Sequence, residues 1–461
     1  MDRKLPLSSL IVIGTMLFAL FFGAGNLIFP AQLGQEAGTS FWPAVIGFLI
    51  TGVGLPLLGI LAIGFSGSAN LQELASRIHP VYAVIFTSAL YLTIGPFFAA
   101  PRTGAVAFDI GVVPFLGRSD PFVPRLLFTA VFFGLTIWLS LNPQKIADRV
   151  GKFLSPAIIV LLLFLLAAAL WKPMGSFQQP GEAYASGAFG TGFTEGYNTM
   201  DALASLVFGI IVITVVRSMG VKSKKGFMGA TMKTGFVAAS CLGVLYLGIA
   251  FLGASSVSSL GVLETGGAVL TEVAVHYFGQ AGLVLLAVVI LLACLTTSIG
   301  LMTACGEYFH TLIPRMSYKT IVTVFTTFCF VISNIGLANI ITYSVPVLMF
   351  LYPLAITLML LTFVSPLFGH ARIVYVAVTA VAMLVSIVDG LAALADTLPG
   401  GRLESITAPV VRFYSDVLPF YNDGLGWLVP SIAAIVIFGV IAKAAGGTSG
   451  HTNNEKTNTA S

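Results

Sequence analysis

Long apolar stretches separated by short polar or Gly/Pro-bearing segments constrain this chain more than any other feature. A helix that crosses a bilayer needs about 20 predominantly apolar residues. Candidate stretches lie at about 7–33, 41–64, 81–107, 122–140, 153–171, 196–217, 228–252, 280–306, 318–335, 339–363, 372–394 and 425–444. Of the 461 residues 57% are hydrophobic and 9% charged, more apolar side chain than a soluble fold can bury. The sequence therefore predicts an all-α polytopic membrane protein with twelve transmembrane helices.

The Lys and Arg residues predict the orientation of these helices, because cytoplasmic loops carry an excess of both. With a cytoplasmic N-terminus, the inner side collects Arg3, Lys4, Arg77, Lys145, Arg149, Lys152, Arg217, Lys222, Lys224, Lys225, Lys233, Arg315, Lys319, Arg372, Lys443 and Lys456. The outer side keeps Arg102, Arg118, Arg125, Lys172, Arg402 and Arg412. Both termini are therefore expected in the cytoplasm. The positive charges are too dispersed for a nucleic-acid-binding surface.

The chain is expected to form a single transmembrane domain over residues 1–461. Its first apolar run is too long for the core of a signal peptide and lacks an A-x-A-like exit, so a retained first span is expected. Residues 445–461, "GGTSGHTNNEKTNTAS" with the preceding Ala, are polar and predicted to be a disordered cytoplasmic tail. The four cysteines form no CxxC pair and are interpreted as small hydrophobic residues.

The stretch "FFGAGNLIFP" interrupts the first span with Gly23, Gly25, Asn26 and Pro30. Glycine costs about 1 kcal/mol relative to alanine in a helix, and asparagine prefers helix caps. One interpretation is a face of small residues that lets helices approach closely. The other is an unwound segment whose freed amides bind an anionic group and whose carbonyls bind a cation.

The sixth span is interrupted as well, since only Ala202–Val216 is free of strongly polar side chains. Counting about ten residues from Arg217 places its midplane near Phe208 and Gly209. Interrupted spans at corresponding places in two halves indicate an inverted-repeat transporter. Spans one to five (about 7–171) and six to ten (about 196–363) would form the repeats, with spans eleven and twelve (about 372–444) appended.

Two further spans carry polar groups near the midplane. "ACLTTSIG" in the eighth span contains Thr296, Thr297 and Ser298, which either bond their own helix carbonyls or offer oxygen ligands to a hard cation such as sodium. Tyr91 in the third span either binds a ligand carboxylate or is a core aromatic residue. The outer segment 253–279 is either a lid over an external vestibule or an ordinary surface loop.

Ionisable residues are not expected beside the breaks. Arg102 and Asp109 fall near the outer end of span three, Glu195 and Asp201 near the outer start of span six, and Glu307 toward the inner end of span eight. This distribution argues against a carboxylate proton relay at the centre. It leaves backbone dipoles and hydroxyl groups to bind a zwitterion and a sodium ion.

"GTMLFALFFGAGNLIFP" and the chain as a whole resemble the bacterial branched-chain amino acid carriers of the BrnQ type, the leucine/isoleucine/valine cation symporters. The resemblance implies a LeuT-type fold with a 5+5 inverted repeat, discontinuous helices 1 and 6, and import of leucine, isoleucine or valine with sodium or protons. Sodium would be a coupling ion, no cofactor is expected, and no obligate protein partner is predicted.

The resemblance also implies roles for particular residues. Substrate-binding residues would be Gly23, Ala24, Gly25, Asn26, Tyr91, Ser205, Phe208 and Gly209. Sodium ligands would be the carbonyls of Ala19, Phe22 and Ala293 and the hydroxyls of Thr296 and Thr297. The chain lacks the arginine that in many neurotransmitter-type members follows the Gly-x-Gly-Asn motif and forms the external gate, so the gate must use other residues.

The sequence also bears on two other functional classes. A membrane enzyme would need a nucleophile or metal cluster, yet the chain has no Gly-x-Ser-x-Gly and no His-Glu-x-x-His, and its five histidines are dispersed. The chain is therefore not expected to be an enzyme. An amino acid sensor on the same fold stays open, because sequence does not separate binding from transport.

Overall fold

The structure is a computed structural model that describes residues 5–68, 70–117, 122–141, 155–221, 223–398 and 401–444. Every regular element in these ranges is an α-, 3₁₀- or π-helix, which confirms the all-α class. The predicted tail, 445–461, lies outside the described residues.

The first half of the described chain contains twelve α-helices. They are α1 (Leu7–Phe21), α2 (Ala24–Ala37), α3 (Phe41–Leu49), α4 (Leu55–Ser66), α5 (Leu71–Ala75), α6 (Pro80–Leu92), α7 (Ala99–Gly111), α8 (Val113–Leu116), α9 (Phe122–Ser140), α10 (Ser155–Trp171), α11 (Glu182–Ala185) and α12 (Ala188–Glu195). A π-helical turn over Ile50–Gly54 joins α3 to α4.

The second half continues with eight more α-helices in its described residues. They are α13 (Asp201–Ser218), α14 (Lys224–Leu260), α15 (Gly266–Leu312), α16 (Tyr318–Ser333), α17 (Leu337–Val364), α18 (Arg372–Thr397), α19 (Arg402–Val417) and α20 (Leu428–Ala444).

Several of these helices have the length and composition of membrane spans. Among the described residues, eight helical stretches are long and apolar enough to cross a bilayer. Shorter apolar helices add Leu7–Phe21, Ile158–Trp171, Tyr318–Ser333 and Leu428–Ala444. The chain is thus a multi-span membrane protein, whereas the count of twelve, the inverted repeat and the domain limits stay predictions.

The first span is broken where the sequence predicts it. Phe22 (φ −69°, ψ 92°) and Gly23 (φ −127°, ψ −153°) leave the helix between α1 and α2. The Asn26 side chain then accepts a hydrogen bond from the Gly23 N–H at 3.0 Å, which satisfies a backbone donor freed by the break. The interruption of the first span is confirmed.

The sixth span is also broken, but further outward than its predicted midplane suggested. The half-helix α12 is followed by a 3₁₀ turn over Gly196–Thr199, and the chain turns at Met200 (φ 63°) before α13 begins. The predicted midplane at Phe208 and Gly209 lies inside continuous helix. Hydropathy missed the outer half-helix because "AFGTGFTEGYNT" is rich in glycine and polar residues.

A third bend, which the sequence analysis did not predict, lies between α6 and α7. A π-helical turn spans Thr93–Phe97, contains Pro96, and has a non-helical residue at Gly95 (φ −86°, ψ −117°). Proline removes a backbone donor and clashes with the preceding turn, so a bend at this point is expected physically. Helix α7, the outer part of the third span, is therefore not a straight continuation of α6.

The helices pack in two groups around the breaks. In the first group, α1 and α2 pack on α14, and α13 packs on α4. Gly34 of α2 and Gly253 of α14 each meet the backbone of the opposite helix, at Ala250 and Ala31, where no side chain would fit. In the second group, α7, α9 and α16 pack on α15 and on one another.

The predicted outer loop 253–279 is mostly helical. Helix α14 continues to Leu260, and α15 already begins at Gly266. Gly279 (φ 57°, ψ −141°) bends α15, so the segment Gly266–Phe278 forms a separate helical arm outside the eighth span. Most of the segment expected between the spans is therefore helical, while its two suggested roles, a lid or an ordinary surface segment, stay predictions.

Candidate substrate and cation site

Hydroxyl groups of α15 meet the break in the first span. The Thr296 hydroxyl lies 3.1 Å from the carbonyl oxygen of Ala19 in α1 and 2.8 Å from that of Ala293 in its own helix. Thr297 points at Gly23, where an added Cβ would lie 2.7 Å from the Thr297 Oγ1. Helix α1 ends at Phe21, and Phe22, between Ala19 and Gly23 in the sequence, already has an extended backbone.

Within the part of the chain that the structure describes, the buried Thr297 hydroxyl has no hydrogen-bond partner. A buried hydroxyl without a partner is costly, by about 1–3 kcal/mol, unless a ligand satisfies it. The preceding residue, Thr296, holds its hydroxyl against two carbonyl oxygens, and oxygen atoms of this kind are the ligands that suit a hard cation. The donor set therefore fits the predicted sodium ion.

A small cavity lies at the point where both breaks meet, and Thr297 is the one predicted cation ligand among its lining residues. The predicted site residues that line it are Gly23, Ala24, Gly25, Asn26, Phe208 and Thr297. Its other lining residues are Leu20, Phe21, Ile94, Ala99, Arg102, Thr103, Thr199, Met200, Asp201, Ala204 and Leu301. We call this space the central cavity; one part of its wall is polar and the rest is apolar.

Three predicted substrate-binding residues, Tyr91, Ser205 and Gly209, do not line the central cavity. On α13 the cavity is lined by Asp201, Ala204 and Phe208, which share one helical face. Ser205 and Gly209 are one position further along, about 100° around the helix, and contact Gly59 and Ile63 of α4 instead. That rotation is the physical reason why these two residues do not join the site.

Tyr91 lies in the core between α6 and α15. Its ring stacks on Tyr308 with centroids 4.2 Å apart, and the Cys305 thiol donates to the Tyr91 carbonyl oxygen at 3.3 Å. Of the two interpretations given for Tyr91, the structure agrees with the core aromatic residue.

Asp201 is the site residue that sequence reasoning missed. It is 2% exposed, begins α13 directly after the break, and lines the central cavity. Its Oδ2 accepts hydrogen bonds from the Asn26 Nδ2 at 2.5 Å and from the Tyr246 hydroxyl at 2.5 Å. The Asn26 amide also donates to the Tyr246 oxygen. This cluster ties both broken helices to α14.

The expectation that no ionisable residue lies beside the breaks is therefore wrong for Asp201. The segment "EGYNTMD" reads as the polar outer start of the span in the sequence, whereas α12 and the 3₁₀ turn extend the span beyond it. Arg102 was likewise assigned to the outer end of span three, yet it lines the central cavity. An acidic residue directly after a helix-breaking segment is the signal that could have identified Asp201.

A second, larger cavity of about 1080 Å³ lies next to the central one, on the side that the predicted topology places outward. We call it the outer vestibule. Its charged lining residues are Glu36, Asp109, Glu195, Glu264, Glu272 and Arg125. The helical arm of α15 contributes to the wall through residues such as Thr271 and Val275, so the segment suggested as a lid does border this cavity.

Comparison with known proteins agrees with this arrangement. Residues 7–445 match the sequence model of a family described as branched-chain amino acid transport protein. The chain belongs to this family. The resemblance stated from the sequence is thereby confirmed.

Family relatives match over nearly their full length. The chain is 49% identical over 433 residues to branched-chain amino acid permease BrnQ of Bacillus subtilis, covering 94% of this chain and 96% of that protein. It is 43% identical over 428 residues to the branched-chain amino acid transport system 2 carrier protein of Pseudomonas aeruginosa, covering 93% and 94%. These relatives are transport proteins by name.

Solved structures share the fold of the family member described here. The closed conformation of MHP1, a nucleobase-cation-symport-1 family transporter with bromovinylhydantoin bound, matches with a TM-score of 0.62 at 16% identity, covering 97% of this chain and 94% of that one. MhsT in complex with L-phenylalanine matches with a TM-score of 0.54 at 16% identity, covering 92% and 97%. At this identity the likeness concerns the fold, which is LeuT-like.

Proposed function

We propose that this protein is a secondary active symporter that imports leucine, isoleucine and valine across the bacterial cytoplasmic membrane, coupled to sodium. The proposal combines family membership with a cavity that lies between two broken helices. Freed backbone groups are tolerated in a membrane where they line such a cavity, and they then serve as binding groups.

One observation carries the sodium coupling. The Thr296 hydroxyl lies within hydrogen-bond distance of carbonyl oxygens on both α1 and α15, and the Thr297 hydroxyl beside it is buried without a partner. A sodium ion held by these oxygens would tie α15 to the break in the first span. The carbonyl of Phe22 is assigned as a further ligand.

The polar part of the central cavity suits the charged end of an amino acid. The N-terminus of α2 carries about half a positive charge and begins at Ala24, so its amides would bind the substrate carboxylate. Asp201 faces the same cavity and would accept the substrate ammonium group. Together these groups match a zwitterion.

The apolar part of the wall suits a branched aliphatic side chain. It is formed by Leu20, Phe21, Ile94, Phe208 and Leu301. Such a wall discriminates by about 1–3 kcal/mol for each methylene group. It would therefore accept leucine, isoleucine and valine together and reject polar side chains.

Coupling to protons is the second candidate, and the burial of the Asp201 carboxylate at the site is the observation that favours it. A buried carboxylate at the meeting point of the two breaks is a group that a proton could occupy. In that case substrate binding and protonation of Asp201 would be linked, and the hydroxyls of α15 would have no role in coupling.

Uptake of labelled leucine into proteoliposomes separates these candidates. Sodium coupling predicts accumulation with an inward sodium gradient at equal pH on both sides, and none with a proton gradient alone. Accumulation that follows the proton gradient and ignores sodium would contradict the Thr296 and Thr297 site. Binding of leucine without accumulation or counterflow would instead identify a sensor.

A further inference from the structure

We propose that Arg102 is the outer gate of the transporter, the group that closes the central cavity toward the outer vestibule. The inference rests on the proposed transport function and goes beyond it, because it names the contact that must break when the site opens outward. The sequence analysis predicted that the gate uses residues other than an arginine after the Gly-x-Gly-Asn motif, without naming them.

The two cavities are neighbours that share no lining residue. The central cavity is lined by Thr199 and Arg102, whereas the adjacent residue Asn198 faces the outer vestibule, as does Phe29 of α2. The boundary between the two spaces therefore runs through the contact that Arg102 makes with Asn198, Thr199 and Phe29.

Arg102 fills this boundary with its guanidinium group. Its Nη1 donates to the carbonyl oxygen of Asn198 at 2.7 Å, and its Nη2 donates to that of Thr199 at 3.4 Å. The guanidinium carbon lies 5.3 Å from the centroid of the Phe29 ring. Gly25 leaves room for it, since a Cβ there would lie 2.8 Å from Nη2. With 3% of its surface exposed, Arg102 seals the passage.

These contacts join the two packing groups of the fold. Arg102 lies on α7, which packs on α15 and α16, whereas Phe29 lies on α2, which packs most closely on α14 and less closely on α15. Asn198 and Thr199 end the outer half of the sixth span. Rocking of one group against the other on the outer side would pull the guanidinium away from both carbonyls and from the ring.

The type of acceptor suits a contact that must open repeatedly. Among the described residues, Arg102 has no carboxylate partner within 4.0 Å, and its Nε is buried without a partner. Hydrogen bonds to neutral carbonyls are easier to break than a buried ion pair, whose separation leaves two unpaired charges. A second arginine provides a contrast, because Arg125 is paired with Asp109 at 3.3 Å and lies over Phe108.

The experiment measures access to the central cavity from outside. In a variant whose four cysteines are replaced by alanine, Ala204→Cys places a thiol in the central cavity and Thr342→Cys places one in the outer vestibule. Intact cells are treated with a membrane-impermeant methanethiosulfonate reagent, without sodium and without leucine. Labelling rates are compared with Arg102 intact and with Arg102→Ala, Arg102→Lys or the matched control Arg125→Ala.

The gate assignment predicts that Arg102→Ala speeds labelling at Ala204→Cys at least tenfold and leaves the rate at Thr342→Cys within twofold. Arg102→Lys should give a smaller rise, since an ammonium group does not bridge both carbonyls, and it keeps the test informative if the alanine variant fails to fold. Arg125→Ala should change neither rate.

An unchanged rate at Ala204→Cys in the folded Arg102 variants would overturn the proposal, and so would an equal rise in Arg125→Ala. Unchanged labelling together with a leucine affinity at least a hundredfold weaker would reassign Arg102 to the substrate carboxylate. Because the assay uses neither sodium nor leucine, a gate result is independent of whether the proposed coupling holds.

Discussion

Asp201 illustrates how one residue can join several elements at a binding site. It begins α13, and its Oδ2 accepts hydrogen bonds from Asn26 of α2 and Tyr246 of α14. The carboxylate therefore has a fixed position beside the central cavity, which is what binding of a substrate ammonium group requires.

Replacing Asp201 with asparagine keeps the volume of the side chain and removes its charge. We expect Asp201→Asn to weaken leucine binding at least tenfold, because a charge-assisted hydrogen bond contributes about 1.5–3 kcal/mol. Equilibrium binding of labelled leucine measures the effect. The matched control is Asp109→Asn in the outer vestibule, expected to stay within twofold; an equal loss in both variants would count against an ammonium site at Asp201.

Thr297 and Ser298 are adjacent hydroxyl residues with different surroundings. The Thr297 hydroxyl has no partner at the predicted cation site, whereas the Ser298 Oγ accepts a hydrogen bond from Thr136 of α9 at 3.3 Å. Thr297→Val keeps the shape and removes the oxygen, so we expect sodium affinity in leucine uptake to fall at least tenfold without loss of folded protein. Ser298→Ala is the control. Normal sodium dependence in Thr297→Val would exclude Thr297 as a ligand.

At the scale of elements, the break between α1 and α2 depends on the small size of Gly23. Its φ of −127° is accessible to alanine, so a substitution there acts through space and not through backbone strain. An added Cβ would lie 2.7 Å from the Thr297 hydroxyl oxygen and push it out of place.

We therefore expect Gly23→Ala to abolish or strongly weaken sodium-driven uptake, by tenfold or more, while the protein still inserts and folds. Gly134→Ala in α9 is the matched control, because a Cβ there meets no atom within 4 Å and alanine favours helix. Uptake by proteoliposomes at several sodium concentrations gives the readout. Full activity of Gly23→Ala would show that Thr297 and the break do not form one site.

The elements also show how far sequence reasoning reaches. "GAGN" predicted the break in the first span, because glycine and asparagine act locally on helix stability. The position of the break in the sixth span was harder to predict. Helix α12 is too polar to be recognised by hydropathy, so the depth of each residue was counted as if the span began after α12. Ser205 and Gly209 were assigned to the substrate site wrongly for a related reason. Each follows a cavity-lining residue by one position, which turns its side about 100° around the helix toward a different neighbour.

Contacts between distant segments could not be predicted from the residue pattern alone. The cluster of Asn26, Asp201 and Tyr246 joins three helices that are far apart in the sequence. The contacts of Arg102 could not be predicted either. Its acceptors are main-chain carbonyl groups, which every residue type has, so the side chains at those positions do not indicate them. The family resemblance assigned Thr296 and Ala19 to one sodium site; the Thr296 hydroxyl does contact the Ala19 carbonyl oxygen, while their role as sodium ligands stays a prediction.

At the scale of the whole molecule, the predicted orientation places both termini in the cytoplasm. It rests on the excess of Lys and Arg on the inner side. Glu182, between α10 and α12, should then face outward, and Arg315, between α15 and α16, should face inward.

Single cysteines at these two exposed positions test the orientation. In a cysteine-free protein expressed in intact cells, we expect a membrane-impermeant maleimide to label Glu182→Cys and to label Arg315→Cys only after the cells are opened. The opposite pattern would invert the topology, and labelling of both in intact cells would mean an incorrect number of spans between them.

The gate contact of Arg102 has a consequence for how this transporter can change over time. Because the guanidinium binds main-chain oxygens, any residue type at positions 198 and 199 presents the same acceptors. Substitutions that retune the neighbouring walls for another amino acid can therefore accumulate while closure on the outer side is retained. A redesign of substrate preference would keep Arg102, Phe29 and the small residue at Gly25 for closure, and the Thr199 hydroxyl for the hydrogen bond that it accepts from the Asp201 N–H.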